Sequence, residues 1–246
     1  MTLSKAIPAA TLIMVRDGRG GPPETLMVRR TARMAFAAGA WVWPGGRIDD
    51  DDHGVEGFEA YAVAAVREML EEVGLPVALD PMPDEAQAAQ MQRALLDGSS
   101  LPSLLDAYRF RIDPAAMTLY ARWAPELELK RRFDTWFLLA RAPDGLPPIV
   151  PQQSEVDEAR WVAPSQMLDE IAAGEAHAIF PTMRTLERLA RAGSVDAIFA
   201  DAARYPAEKI VPWIEDRDGE ETIRIPDHLG FPVTAVPTRE AFRGER

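Results

Sequence analysis

The stretch from Glu59 to Leu75 constrains this chain more than any other. Ala62, Val66, Met69 and Val73 recur at the spacing of a buried helical stripe, and Gly74 followed by Pro76 marks where that helix stops. On a helix advancing about 100° per residue, Glu68, Glu71 and Glu72 share one face at i, i+3 and i+4, roughly opposite the apolar stripe. Three carboxylates so close repel one another, which costs stability unless cations sit among them. Oxygen-only ligands suit Mg²⁺ or Mn²⁺ rather than zinc, and such ions are usually shared with substrate phosphates. Arg67, next to Glu68, can steady one carboxylate through a forked hydrogen bond. Alone, this acidic face would read as a solvated helix surface. Its setting argues otherwise: a strand and then Pro44-Gly45-Gly46 precede it, and Gly74 with apolar Leu75 follow at once.

Around that helix the chain reads as an α/β domain. Apolar runs at Ala9–Arg16 and Leu26–Arg30 are strands joined by a Gly- and Pro-rich loop, and Trp41–Trp43 is a third strand ended by the Pro-Gly-Gly turn. Asp49 to Gly54 reads as loop. Residues 77–116 form a helical insertion, with helices over Asp84–Asp97 and Leu101–Tyr108; about forty residues make a poor independent core. Strands return at Met117–Trp123, Phe133–Ala140 and Ala159–Val162. Helices over Pro164–Ala173, Pro181–Ala192 and Val195–Ala203 follow, with weak strand character at Glu221–Ile225. One domain over residues 1–246 is expected.

Charge and composition narrow the function. With 27 basic against 39 acidic residues, the net charge of −12 argues against non-specific nucleic-acid binding, which needs a basic footprint. An anionic substrate would then need a bound cation between it and the protein. No cysteine is present, which excludes disulfides, thiol nucleophiles and Cys-based metal sites. Three scattered histidines, His53, His177 and His228, offer no metal cluster. The apolar stretch Ala6–Val15 is too short to span a bilayer and lacks a basic leader, so no membrane association and a cytoplasmic location are expected.

Pro44-Gly45-Gly46 followed by Arg67-Glu68-x-x-Glu71-Glu72-x-Gly74-Leu75 resembles the Nudix box, G-x5-E-x7-R-E-U-x-E-E-x-G-U. The second half agrees at every specified position, with Met69 and Leu75 as the apolar sites. Glu59 stands eight residues before Arg67, as the box requires. The box glycine would fall on His53, whereas Gly46 lies seven residues earlier, so a loop insertion separates Gly46 from Glu59. The resemblance implies the Nudix α/β/α sandwich with a mixed β-sheet. It also implies Mg²⁺- (or Mn²⁺-) dependent hydrolysis of a diphosphate in a nucleotide-like small molecule, with Glu68, Glu71 and Glu72 as metal ligands beside Arg67, and it allows a homodimer.

Tyr120–Trp123, Arg132–Thr135, Glu158–Val162 and Phe180–Thr182 are similar to the long Nudix branch that includes the peroxisomal coenzyme A diphosphatases. Of the coenzyme A signature L-L-T-x-R-[SA]-x3-R-x3-G-x3-F-P-G-G, the chain supplies Leu26, Arg30, Gly39, Pro44, Gly45 and Gly46. Met27, Val28, Thr31, Ala35 and Trp43 depart from it. The resemblance points first to coenzyme A or an acyl derivative, cleaved to 3′,5′-ADP and a phosphopantetheine. Nucleotide sugars, NADH or ADP-ribose are alternatives, and so is a non-catalytic nucleotide-sensing domain. Arg29 and Arg30 are candidate phosphate contacts, and the backbone at Gly45 and Gly46 can approach a ligand closely. The resemblance further implies a general base, for which Glu68 or a distal glutamate at Glu155 or Glu158 is the candidate. Trp41 and Trp43 read chiefly as strand packing, and Arg132 with Asp134 as a structural ion pair.

Overall fold

The central strand β1 (Ile7–Arg16) is apolar on successive residues because both of its faces are covered. Leu12 and Met14 enter one core cluster, and Ile13 and Val15 enter the other on the opposite face. The computed structural model describes residues 4–127 and 131–242. In chain order, β1 is followed by β2 (Glu24–Arg30), β3 (Trp41–Val42), β4 (Gly45–Arg47) and α1 (Ala60–Val73). Next come β5 (Leu79–Asp80), α2 (Glu85–Leu96), α3 (Leu101–Tyr108), β6 (Arg111–Ile112), β7 (Met117–Trp123), β8 (Phe133–Arg141) and β9 (Val156–Val162). The remainder comprises α4 (Pro164–Ala172), α5 (Phe180–Leu189), α6 (Val195–Arg204), β10 (Lys209–Ile210), β11 (Trp213–Arg217), β12 (Glu220–Arg224), β13 (Ala235–Pro237) and the short α7 (Thr238–Ala241).

The main sheet is mixed and, among the described residues, has eight strands in the order β10-β7-β8-β1-β2-β3, with β4 on β1 and β9 on β2. β1 runs parallel to β8 from Ile7↔Phe133 to Val15↔Arg141. Along its other edge β1 forks, pairing Ala9–Thr11 with β4 and Val15–Arg16 with β2. The fork decides where the site lies. The glycine turn does not simply end a strand, as its sequence suggests; Gly45–Arg47 is itself a strand, held against β1. Thr11 Oγ1 locks the approach by donating toward the carbonyls of Trp43 and Pro44 (3.1 and 2.7 Å). A Cβ on Gly45 would sit 2.5 Å from the Ala10 carbonyl, so the close pairing requires glycine.

α1 covers one face of the sheet, and α5 and α6 pack with the second cluster on the other, which gives the α/β/α sandwich. The insertion is not purely helical. Its ends are closed by the two-stranded ribbon β5–β6, and Met91, Leu95 and Leu101 join the core around α1. The tail forms more than its sequence shows: β11, β12 and β13 make a separate antiparallel sheet that places Ile223 in the second cluster. No helix among the described residues is long and apolar enough to cross a membrane.

Candidate active site

α1 departs from a simple amphipathic helix. Ala60, every residue from Val63 to Leu70, Glu72 and Val73 are buried, including Arg67, Glu68 and Glu72 at 6%, 9% and 4% exposure. The acidic face therefore turns inward. The helix end that carries it is held rigidly, because each of its last carbonyls finds a donor. Gly74, in the left-handed conformation (φ 70°), donates to Leu70, and Leu75 donates to Met69. Gln92 Nε2, from the insertion, donates to the Glu71 carbonyl (3.1 Å). The backbone N–H groups of Gln152 and Val150 donate to Glu72 and Val73 (both 2.9 Å).

Two of the three carboxylates meet the glycine turn, and the third is held beside them through Arg67. Glu72 Oε2 accepts the Gly45 N–H (3.2 Å), and Glu72 Oε1 lies 3.8 Å from Arg30 Nη1. Glu68 rests directly on Gly46, where a Cβ would fall 2.2 Å from its Oε1. Arg67 Nη1 donates to both Glu68 Oε1 (2.9 Å) and Glu71 Oε2 (3.0 Å). Burial pushes the Glu68 carboxyl up to about 7, against the pull of Arg67, and Glu71 adds to the rise. Burial also drives Glu72 well above the usual carboxylate range, with Glu68 as the next cause, and it raises Glu71. In Arg67, burial opposes the charge, but Asp52, Glu68 and Glu71 outweigh it and hold the guanidinium firmly protonated.

The donor set fits a divalent cation of the Mg²⁺ or Mn²⁺ kind. Carboxylate oxygens alone are present, and two of the three groups are buried at a cost that a cation would relieve. A glycine leaves room beside them. As the side chains stand, Glu68 and Glu71 are turned onto Arg67, and among the described residues no three ligating groups already close on one point.

Several residues singled out from the sequence fall elsewhere. Arg30 lines the site, but Arg29, its neighbour on β2, lies 3.5 Å from Glu158 on a half-exposed part of the sheet and is not among the residues around the cavity. Glu158 is occupied there too, by Arg29 and Arg160, whereas Glu155 lines the site and its charge contributes to raising both Glu68 and Glu72. Trp41 packs under the Arg160 guanidinium (4.5 Å), while Trp43 donates from its indole to Thr25 Oγ1 (2.8 Å); both are buried. Arg132 and Asp134 do not pair with each other. Asp134 takes a forked bond from Arg122 (2.8 and 2.7 Å), and Arg132 donates to the Ser4 carbonyl. Glu59 is exposed at the N-terminus of α1, with no side-chain capping bond.

One residue was missed altogether. Asp52, in the stretch that reads as loop, lies in a 3-10 turn (Asp50–Gly54), has no solvent exposure, and grips Arg67 through Oδ1–Nε and Oδ2–Nη2 at 2.9 Å each. Nothing in an aspartate-rich run of four distinguishes the one that turns inward.

The carboxylates line a cavity of about 640 Å³, a size ordinary for small-molecule sites. Apolar side chains from distant parts of the chain line it too: Phe36, Leu127, Phe133, Ile179, Ile223 and Phe242. The Phe36 and Phe133 rings meet at 4.9 Å.

This geometry has relatives. A solved NUDIX hydrolase from Alicyclobacillus acidocaldarius is 27% identical and aligns over 81% of this chain and 97% of its own, with a TM-score of 0.69. A Caenorhabditis elegans protein named "Putative nudix hydrolase 7" is 27% identical over 166 residues, 68% of this chain; the chain spans about half (55%) of that relative's length. A family model for the NUDIX domain matches residues 6–92, the segment from β1 into α2 that supplies the glycine turn, Arg67 and all three glutamates. Residues 6–92 of this chain are thus similar to the NUDIX domain, and the fold built around them is similar to that of a solved NUDIX hydrolase.

Proposed function

We propose that the chain hydrolyses the diphosphate of a nucleotide-like small molecule, with coenzyme A or an acyl-coenzyme A as the substrate. The observation that carries this reading is the mixed lining of one cavity. Buried Glu68 and Glu72, with Glu71 and Arg30, share it with apolar side chains such as Phe36, Phe133 and Phe242. A substrate with a diphosphate at one point and an apolar arm at another matches that lining.

Glu68, Glu71 and Glu72 would hold the divalent cation, which when bound neutralises diphosphate oxygens and lowers the pKa of water. Arg30, partly buried on β2 and already close to Glu72, contributes a fixed positive charge for a phosphate oxygen. Glu155 accepts the proton of the attacking water. It is exposed, lines the same cavity, and sits in a loop tied by backbone bonds from Val150 and Gln152 to the end of α1. As the water oxygen bonds to phosphorus, the bridging P–O bond breaks and the leaving phosphate takes the electron pair.

Incubation with Mg²⁺, then Mn²⁺, and a panel of coenzyme A, acetyl- and longer acyl-coenzyme A, NADH, ADP-ribose and a nucleotide sugar tests the reading by product mass. Release of 3′,5′-ADP from the coenzyme A compounds is expected. Turnover of another member alone would remove the substrate assignment and keep the reaction. No turnover of any member, with ligand-induced thermal shifts retained, would favour a sensor.

A further inference from the structure

We propose that Asp52, rather than the spacing-matched Glu59, positions the acidic helix through Arg67. The inference rests on the reading that Glu68 and Glu71 carry the chemistry. A guanidinium presents its N–H groups in one rigid plane, so fixing one edge fixes the direction of the other. Asp52 fixes the edge formed by Nε and Nη2 (2.9 Å each), and the Arg47 carbonyl takes a further bond from Nη2 (2.8 Å). The opposite nitrogen, Nη1, then points between Glu68 Oε1 and Glu71 Oε2. Asp52 is itself held, because its Oδ2 accepts the Asp49 N–H at 2.8 Å and closes the turn it belongs to. Glu59 is exposed and makes no contact with Arg67 among the described residues.

The physical cause is the longer loop. Seven residues more than the box spacing lie between Gly46 and Glu59, and part of that length folds into the 3-10 turn against α1. The turn brings its own carboxylate to Arg67 and leaves Glu59 at the surface. A short side chain on a turn with no exposure orients its partner more rigidly than a long one at an exposed helix start.

The test compares Asp52→Asn with Glu59→Gln, using Mn²⁺ affinity by electron paramagnetic resonance without substrate, and kcat and KM with the substrate found above. Asp52→Asn should weaken Mn²⁺ binding and lower kcat about 10- to 100-fold, with KM changed less than about 2-fold, while Glu59→Gln changes neither. A parental Mn²⁺ affinity in folded Asp52→Asn, or the same loss in Glu59→Gln, overturns the assignment.

A measurement on the unaltered protein guards against a variant that does not fold. The Arg67 Nε–H, assigned by comparison with Arg67→Lys, should exchange with water at least about 10-fold more slowly than that of exposed Arg19, as buried bonded groups do. Exchange at the Arg19 rate overturns the proposal. Neither the exchange nor the Mn²⁺ measurement needs a substrate, so a wrong substrate assignment leaves both standing. An unaltered protein that binds no Mn²⁺ counts against the proposed function, and Arg67 exchange then decides on Asp52 alone.

Discussion

The acidic and the apolar lining of the cavity are built in opposite ways. The acidic lining takes Arg67, Glu68, Glu71 and Glu72 from two turns of a single helix and sets Glu68 and Glu72 on one glycine turn. The apolar lining gathers Phe36, Phe133, Ile179, Ile223 and Phe242 from five separate segments, the last two from the C-terminal sheet and the end of the short helix that follows it. A helix carries its geometry within itself, so the acidic lining tolerates no shift of register. The apolar wall is a shape made by packing, where one side chain can change without moving the others. The proposed chemistry rests on the first construction and the proposed choice of substrate on the second.

The largest expected effect tests the acidic lining. Glu71→Gln should lower kcat by about 10²- to 10³-fold, the usual cost of removing a group that organises charge in the transition state, with the fold kept by circular dichroism. Steady-state kinetics checks it; a loss confined to KM would move Glu71 out of the chemistry. On the apolar lining, Phe36→Ala should lower kcat/KM about 10-fold for a long acyl-coenzyme A and leave free coenzyme A nearly unchanged, since lost apolar contact is worth about 1–3 kcal/mol. An equal loss on both compounds would erase the division between the two linings.

A smaller effect concerns stability without metal. The folded-state pKa of Glu68 is raised to about 7, so its protonated form is the favoured one in the native state. The stability this contributes is fully present below the unfolded-state value, near pH 4, and is lost as pH rises through about 7. In EDTA, Glu68→Gln should therefore raise the melting temperature by a few degrees at pH 8 and change it little at pH 4. A destabilised variant at pH 8 would mean that the bond from Arg67 outweighs burial. Smallest of all, Arg29→Ala should alter kcat and KM by less than about 2-fold, because its partner is the half-exposed Glu158 and such pairs are weak. Arg30→Ala is the contrasting variant, with a rise in KM expected.

Arg29 and Arg30 also show where a sequence reading runs short. Successive strand residues point to opposite faces, so only one of the two can reach a given site. That much is legible, but which face holds the site depends on how β2 sits against β1 and β9. Glu155 and Glu158 present the same problem at the other edge of the sheet: Glu158 lies within β9 and faces Arg29, while Glu155 stays in the preceding loop. The tail was least legible, because β11 is short and mostly charged and β13 is only Ala235-Val236-Pro237, and only their pairing with β12 gives them form.

By itself the amino-acid sequence determined the acidic helix, its glycine stop and the carboxylate spacing, along with the alternation of apolar strands and helices that makes an α/β sandwich. Those features follow from distances of a few residues, where helical and strand periods are rigid. Tertiary structure alone decided that Asp52 rather than Glu59 grips Arg67, that Glu155 and Arg30 face the site, and that Phe36, Ile223 and Phe242 wall it. These choices lie in loops and in contacts between distant segments. Chain connectivity there leaves many arrangements open, and only the packing of side chains against the finished core selects one.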